Sequence, residues 1–324
     1  MSRTLTNILA PLSGHLERVD TSIKKHLETG VPLIDRSAMH LFAKGGKKIR
    51  ASLVLLTAGL GGEISESVID LAAAVEIIHA ASLVHDDIID KSFLRRGDLS
   101  VPSKFGDKVA VLAGDYMYST AVNIAVRNSH VKILDSISSS SREMVKGELY
   151  QMEYSNVDKI TEEHYFNIID RKTGRLMASS AYIGAVEAGL GEEECDALFN
   201  MGLELGYAFQ IVDDTFDFSD SSDVTGKDVG NDFSDGKITL PFIYILKNGT
   251  EEERECVHKF SQNPDAADWD EIKKLIHSSG AFSFSLNMAK DYAERAKKRI
   301  EIFDKSENKV IIEELINFIV ERDY

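Results

Sequence analysis

Two stretches of this chain carry aspartates at the same spacing. One reads Leu83-Val84-His85-Asp86-Asp87-Ile88-Ile89-Asp90, the other Gln210-Ile211-Val212-Asp213-Asp214-Thr215-Phe216-Asp217. Each is an apolar run ending in Asp-Asp-x-x-Asp, followed by a polar segment with basic residues. On a helix, i and i+4 share a face and i+1 lies close by, so the spacing predicts three carboxylates on one side of a helix end. Like charges at that separation destabilise a helix by about 0.2–0.5 kcal/mol per pair, and the C-terminal end of the dipole disfavours them further. A divalent cation would offset both effects. Mg²⁺ is the expected ion, because it takes oxygen ligands, keeps waters and is shared between carboxylates and substrate phosphates. The candidate ligands are Asp86, Asp87, Asp90, Asp213, Asp214 and Asp217, with a diphosphate bridging them. An exposed acidic helix end would explain either cluster alone; two copies, each after an apolar turn, speak for a shared site.

Cations stand ready for anions. Gly45-Gly46-Lys47-Lys48-Ile49-Arg50 precedes the apolar Leu53–Leu56 segment. Its glycines permit close backbone approach, and Lys47 and Arg50 project on one side of the helix start. Arg95-Arg96-Gly97 follows the first acidic cluster, Lys227 and Lys237 follow the second, and Lys172-Thr173-Gly174-Arg175 forms a further basic patch. Arginine suits phosphate through its bidentate fork. Each of these alone is an ordinary solvated charge; together they let an acidic protein bind two polyanions. His79, two turns before Asp86, taken alone is a packed core histidine. In this company it is a candidate diphosphate contact.

The elements that must position these residues read as helices. Period-3.6 stripes run through Leu5 to Ile23, Val68 to Ser82, Leu198 to Val212 and Val310 to Val320. Prolines number only 5 in 324 residues, and strand signals are weak. Breaks near Gly30–Pro32, Gly59–Gly62, Gly97–Pro102, Gly189–Gly191, Ser219–Gly236 and Asn248-Gly249 divide the chain into about ten helices. None is a long linker, so residues 1–324 are expected to form a single all-α domain. Lys+Arg of 37 against Asp+Glu of 53 gives a net charge of −16, which argues against nucleic acid as a partner. The two cysteines, Cys195 and Cys256, form neither a disulfide framework nor a zinc pattern. No apolar run approaches the roughly 18 residues that span a bilayer. The start, MSRTLTNILAPL, lacks the layout of a signal peptide. A cytoplasmic location is the expectation.

Taken in order, GGKKIR at 45–50, IIHAASLVHDDIID at 77–90, RRG at 95–97, GDY at 114–116, RKTG at 171–174, FQIVDDTFD at 209–217, GKDVGNDFSDGK at 226–237, TLP at 239–241 and ERDY at 321–324 resemble the trans-polyprenyl diphosphate synthases. The resemblance is nearest to their long-chain, octaprenyl-like branch. It implies an isoprenoid-synthase-type helical bundle around a deep central cavity, usually a homodimer. It implies a magnesium-dependent prenyltransferase that condenses an allylic diphosphate, farnesyl or geranylgeranyl, with successive isopentenyl diphosphates. The product would be a long all-trans polyprenyl diphosphate that is handed to a membrane. The alternatives are a shorter-chain geranylgeranyl diphosphate synthase or an inactive partner subunit. By the same resemblance the six aspartates organise Mg²⁺ around the allylic diphosphate. Arg95, Lys172, Thr173, Gln210, Lys227 and Lys237 support that end. Lys47, Arg50, His79, Arg96 and Arg322 hold isopentenyl diphosphate. Two departures touch loop geometry: Lys91-Ser92-Phe93-Leu94 replaces a more acidic stretch after Asp90, and Ile238 stands where proline is usual.

Ala81 and Ser82 lie five and four residues before Asp86, about 6–7.5 Å down a helix at ~1.5 Å per residue. Aromatic residues there close the pocket in the resembling family, so two small ones imply products longer than farnesyl. Close helix packing is the competing explanation of their size.

Overall fold

Four of the prolines sit in the first turn of a helical segment, where the missing N–H removes no helical bond. The rest of the chain is free to run in long helices. The computed structural model describes residues 4–127, 130–219, 237–264 and 267–321. Among these are sixteen α-helices: α1 (Leu5–Ile8), α2 (Ser13–Leu27), α3 (Pro32–His40), α4 (Ile49–Gly61), α5 (Glu66–Ile89), α6 (Val101–Phe105), α7 (Asp107–Arg127), α8 (Val131–Tyr154), α9 (Glu162–Ile169), α10 (Arg175–Glu187), α11 (Glu192–Phe216), α12 (Leu240–Asn248), α13 (Glu251–Gln262), α14 (Trp269–Ser278), α15 (Ala281–Arg299) and α16 (Glu307–Glu321). The expected ten undercounts them because short turns split several of the intervals. A π-helical turn, Asp170–Gly174, joins α9 to α10.

The sequence carries little warning of the one sheet-like element among the described residues. Leu94–Arg95 and Asp98–Leu99 pair antiparallel as β1 and β2. Arg96 and Gly97 take φ of 55° and 71° at the turn, the positive pair that suits a tight two-residue hairpin.

Two apolar clusters form the interior. The larger is built around α2, α4, α5, α7 and α10, with Leu198, Met201, Leu205 and Ala208 of α11. The smaller takes Ile211 and Val212 from the far end of α11, with Phe218, Phe242, Phe260 and residues of α9 and α12–α15. α11 therefore threads both. It packs most broadly against α15, while α5 packs against α7 and α10 against both α4 and α11. Glycines set the closest approach. A Cβ on Gly206 would lie 2.8 Å from Gly174 Cα, and one on Gly184 would lie 2.2 Å from Val54 O.

Two helices, α5 and α7, are long and apolar enough by length and composition to cross a membrane, against the sequence expectation. Most of the apolar window of α5 is buried, which makes it a core helix. More than half of that of α7 is uncovered, and it displays Val111, Leu112, Tyr118 and Val126.

Candidate active site

α5 carries one acidic cluster and half of a cationic one. Ser65 caps its start by accepting from Val68 N–H, and at the other end of the 24-residue helix Asp86 and Asp87 occupy its last turn. The spacing suggested three carboxylates on one side; the structure divides them. Asp86 is half-buried and Asp90 lies at the helix end with a third of its side chain exposed. Asp87 is fully buried and accepts from Arg95 Nε at 2.9 Å. A residue one step along a helix is turned by about 100°, so when i and i+4 face open space, i+1 faces the packed flank. The second cluster repeats this. Asp213 and Asp217 are half-buried. Asp214 is buried, accepting from Tyr165 O–H at 2.7 Å and from Gln210 Nε2 at 2.7 Å. Thr173 donates to Gln210 Oε1 at 2.7 Å, which turns the Gln210 amide so that its N–H₂ meets Asp214.

Burial raises Asp86 to about 6; Lys172 opposes the shift, Glu148 and Asp90 add to it, and Arg95 opposes it. Burial also raises Asp87, against the Arg95 bond. Lys172 Nζ lies 2.5 Å from Glu148 Oε2 and donates to Gln151 Oε1 at 2.6 Å, both on α8. Lys237, which follows the second cluster in sequence, lies 4.0 Å from Asp90 of the first. The π-turn thus reaches α8 through Lys172 and the acidic end of α11 through Thr173 and Gln210. A cleft of about 860 Å³ opens beside the first cluster, lined by Asp90, Glu148, Gln151, Met152, Lys159 and Lys237 among others.

The cationic group sits two turns down α5. The tight turn of β1–β2 sends consecutive arginines to different places: Arg95 to Asp87, and Arg96 to the Gly45 carbonyl, across α5. A Cβ on Gly46 would lie 3.0 Å from Arg96 Nη1, so the Gly45-Gly46 pair makes room for that guanidinium. Lys48 takes a left-handed φ of 48° before α4 and ion-pairs with Asp20. Arg50 Nε is buried without a hydrogen-bond partner. Glu76 accepts from Ala51 N–H at 3.0 Å, capping the start of α4 from α5. Its charge offsets the burial of Arg50 and Arg96. His79 is held well below the usual imidazole range, first by burial and then by Arg50, Arg96 and Arg95. It is a neutral hydrogen-bonding group at pH 7.

Of the predicted residues, Lys227 and Arg322 lie outside the described residues. Lys47 is exposed, beside Gly46 in the segment before α4, and the aspartates, Lys172, Thr173, Gln210, Lys237, Arg50, His79, Arg95 and Arg96 lie where described above. Ala81 is buried in the larger cluster and Ser82 is partly buried, its hydroxyl donating to His79 O at 2.9 Å. Sequence reasoning missed Glu76, Glu148, Gln151 and Tyr165. Glu76 was findable, three residues before His79 on one helix face. The other three have no local signal, because their partners come from distant helices. Among the described residues no three His, Cys, Asp or Glu side chains already converge as a metal site. The chemistry still fits a hard cation: the donors are all carboxylate oxygens, Asp86 is ionised against its burial, and Asp87 Oδ2 is buried with no partner.

Comparisons with known proteins give the family. The chain is 33% identical over 311 residues to an octaprenyl diphosphate synthase from Haemophilus influenzae (strain Rd), covering 95% of this chain and 94% of that protein. It is 34% identical over 313 residues to a geranylgeranyl pyrophosphate synthase from Geoglobus acetivorans, covering 95% and 96%. A crystal structure of a polyprenyl synthase from Caulobacter crescentus, complexed with calcium and isoprenyl diphosphate, superposes with a TM-score of 0.93 at 32% identity over 99% of both chains. Residues 31–278 match the family described as polyprenyl synthetase. A match over most of the chain, with full-length relatives above 30% identity, means that this chain belongs to the polyprenyl synthetase family.

Proposed function

We propose that this protein condenses an allylic diphosphate, farnesyl or geranylgeranyl, with successive isopentenyl diphosphates to form a long all-trans polyprenyl diphosphate. One observation carries the reading. α5 presents two anion-handling groups on one helix, the acidic end around Asp86 and the Arg50–His79–Arg96 group seven residues earlier. That separation is about 10 Å along the axis at ~1.5 Å per residue, which suits two diphosphates meeting head to tail.

Asp86, Asp90, Asp213 and Asp217 would hold Mg²⁺, with Asp87 and Asp214 bracing them from the packed side. When bound, the ion acts as a Lewis acid toward the leaving diphosphate. Lys172, Lys237 and Arg95 draw the allylic diphosphate to the cleft and stabilise charge as it leaves. Gln210 and Thr173 fix the acidic end of α11. Arg50, Arg96, Lys47 and neutral His79 hold isopentenyl diphosphate. The surrounding apolar helices exclude water that would quench an allylic cation. Ala81 and Ser82 leave room below Asp86 for the growing tail. The uncovered apolar side of α7, with Val145, Leu149 and Met152 of α8, supports a homodimer.

A shorter product is the second reading, favoured by the identity to a geranylgeranyl pyrophosphate synthase. Purified protein incubated with farnesyl diphosphate, labelled isopentenyl diphosphate and Mg²⁺, followed by chromatography of the dephosphorylated lipid, tests both. Products beyond twenty carbons are expected. A single twenty-carbon product selects the second reading, and no extension at all refutes both.

A further inference from the structure

The π-turn Asp170–Gly174 sends its side chains to two different helices. Arg171 reaches Glu143 at 3.5 Å and Lys172 reaches Glu148 at 2.5 Å, both on α8. Asp170 and Thr173 turn the other way, to Tyr207 and Gln210 of α11. A π-turn holds one residue more than the α-helical turn it replaces, which rotates everything after it by about 100° relative to a continuous helix. Such a turn keeps its register only where its surroundings fix it.

Tyr207 touches both ends of the turn. Its hydroxyl donates to Asp170 Oδ1 at 2.6 Å. Its ring lies over Gly174, where a Cβ would come within 2.9 Å of Tyr207 Cε1. Arg175 Nε donates to the other Asp170 oxygen at 2.9 Å, so both oxygens of that carboxylate are engaged. The ring is wedged edge-on against Tyr292 at 5.1 Å and Phe166 at 6.2 Å. Burial and the Asp170 bond keep the phenol protonated.

We propose that Tyr207 and Asp170 are positioning residues that lock the π-turn in the register that aims Lys172 and Thr173 at the reacting diphosphate. This rests on the proposed function, which gives Lys172 and Thr173 their role. Neither Tyr207 nor Asp170 touches substrate. They act by preventing the turn from relaxing into α-helix, which would swing Lys172 off the cleft and release Gln210 from Thr173. The phenol and the carboxylate are one device, so removing either has the same effect.

Steady-state kinetics with each substrate varied in turn tests this. Wild-type turnover is read first; without it the proposed function falls and this proposal with it. Tyr207→Phe keeps the wedged ring and loses only the hydroxyl. Its kcat is expected to fall about 10- to 100-fold, the range for losing a hydrogen bond to a charged group. KM for isopentenyl diphosphate stays within about twofold, because that site is held by α4 and α5. Asp170→Ala matches Tyr207→Phe, because it removes the acceptor of the same hydrogen bond. In a Lys172→Ala background Tyr207→Phe loses less than about twofold more, since a device that works through Lys172 has nothing left to aim. Full losses that multiply in the double variant overturn the proposal, as does a Tyr207→Phe enzyme equal to wild type. If Tyr207→Phe does not fold, Asp170→Ala takes its place: full losses that multiply with Lys172→Ala overturn the proposal, as does an Asp170→Ala enzyme equal to wild type.

Discussion

Asp86 is a carboxylate held against its burial, and replacing it separates stability from function. Its pKa is raised from 3.8 to about 6, above all by burial. At about 1.36 kcal/mol per pH unit, the ionised side chain without a cation destabilises the fold by at most about 3 kcal/mol at neutral pH. Solvent reaches this half-buried group and screens it, which reduces the figure to about 1–2 kcal/mol. The folded state binds the proton more tightly than the unfolded one, so stability falls as pH rises from 3.8 to about 6 and is flat above. Asp86→Asn keeps the shape and removes the charge. Without added metal it is expected to melt about 1.5–3 °C above wild type at pH 7.5 for a chain of this size. The advantage vanishes at pH 4 and below, where wild-type Asp86 is itself neutral. Turnover falls by orders of magnitude in the same variant, and Mg²⁺ with inorganic diphosphate raises its melting temperature less than it raises that of wild type. Calorimetry across pH, with and without both additives, reads all of this. A variant less stable than wild type at pH 7.5, or an offset that persists unchanged at pH 4, would refute the reasoning.

Three other outcomes are expected. Ala81→Tyr shortens the lipid product while activity survives, as read by chromatography after dephosphorylation; an unchanged length removes Ala81 from the path of the tail. Asp213→Ala lowers kcat by about two orders of magnitude or more with little change in melting temperature, whereas near-normal turnover would take Asp213 out of the metal-holding set. Leu149→Asp, at a site 62% exposed on α8, is expected to yield monomer by light scattering and wild type the mass of a dimer; equal masses for the two place the interface elsewhere or remove it.

The helical character of the chain was written in its periodicity, and the paired Asp-Asp-x-x-Asp segments announced the site. What local pattern could not show was which helices meet. Lys172 read as part of a basic patch; its partners Glu148 and Gln151 lie on α8, more than twenty residues earlier, where nothing marks them. Arg95 and Arg96 read as a pair of anion ligands; local pattern did not show that the hairpin turn between β1 and β2 also rests one on a buried aspartate and the other on a glycine carbonyl. The π-turn itself was invisible, because an extra residue in a helix leaves no compositional trace. α5 read as too short an apolar run to span a membrane, and the structure resolves its greasiness as burial rather than lipid contact.

The two acidic clusters also explain how a strongly anionic protein keeps an anion site usable. In each, the middle aspartate is buried and tied to the scaffold: Asp87 to Arg95, Asp214 to Tyr165 and Gln210. That leaves two carboxylates per helix end, a full turn apart, instead of three crowded together. Four hard oxygen donors are a weaker burden on the metal-free fold than six, while cations can still complete their shells with water and diphosphate oxygens. The buried aspartates are not idle. Burying a carboxylate is tolerable only when it is paired and hydrogen-bonded, so each fixes its donor, and through that donor a second element. Arg95 brings the β1–β2 hairpin onto α5; Tyr165 and Gln210 bring α9 and the π-turn onto α11. The spacing shared by the two copies thus serves two ends at once: i and i+4 are left more open, and i+1 secures the frame that holds them.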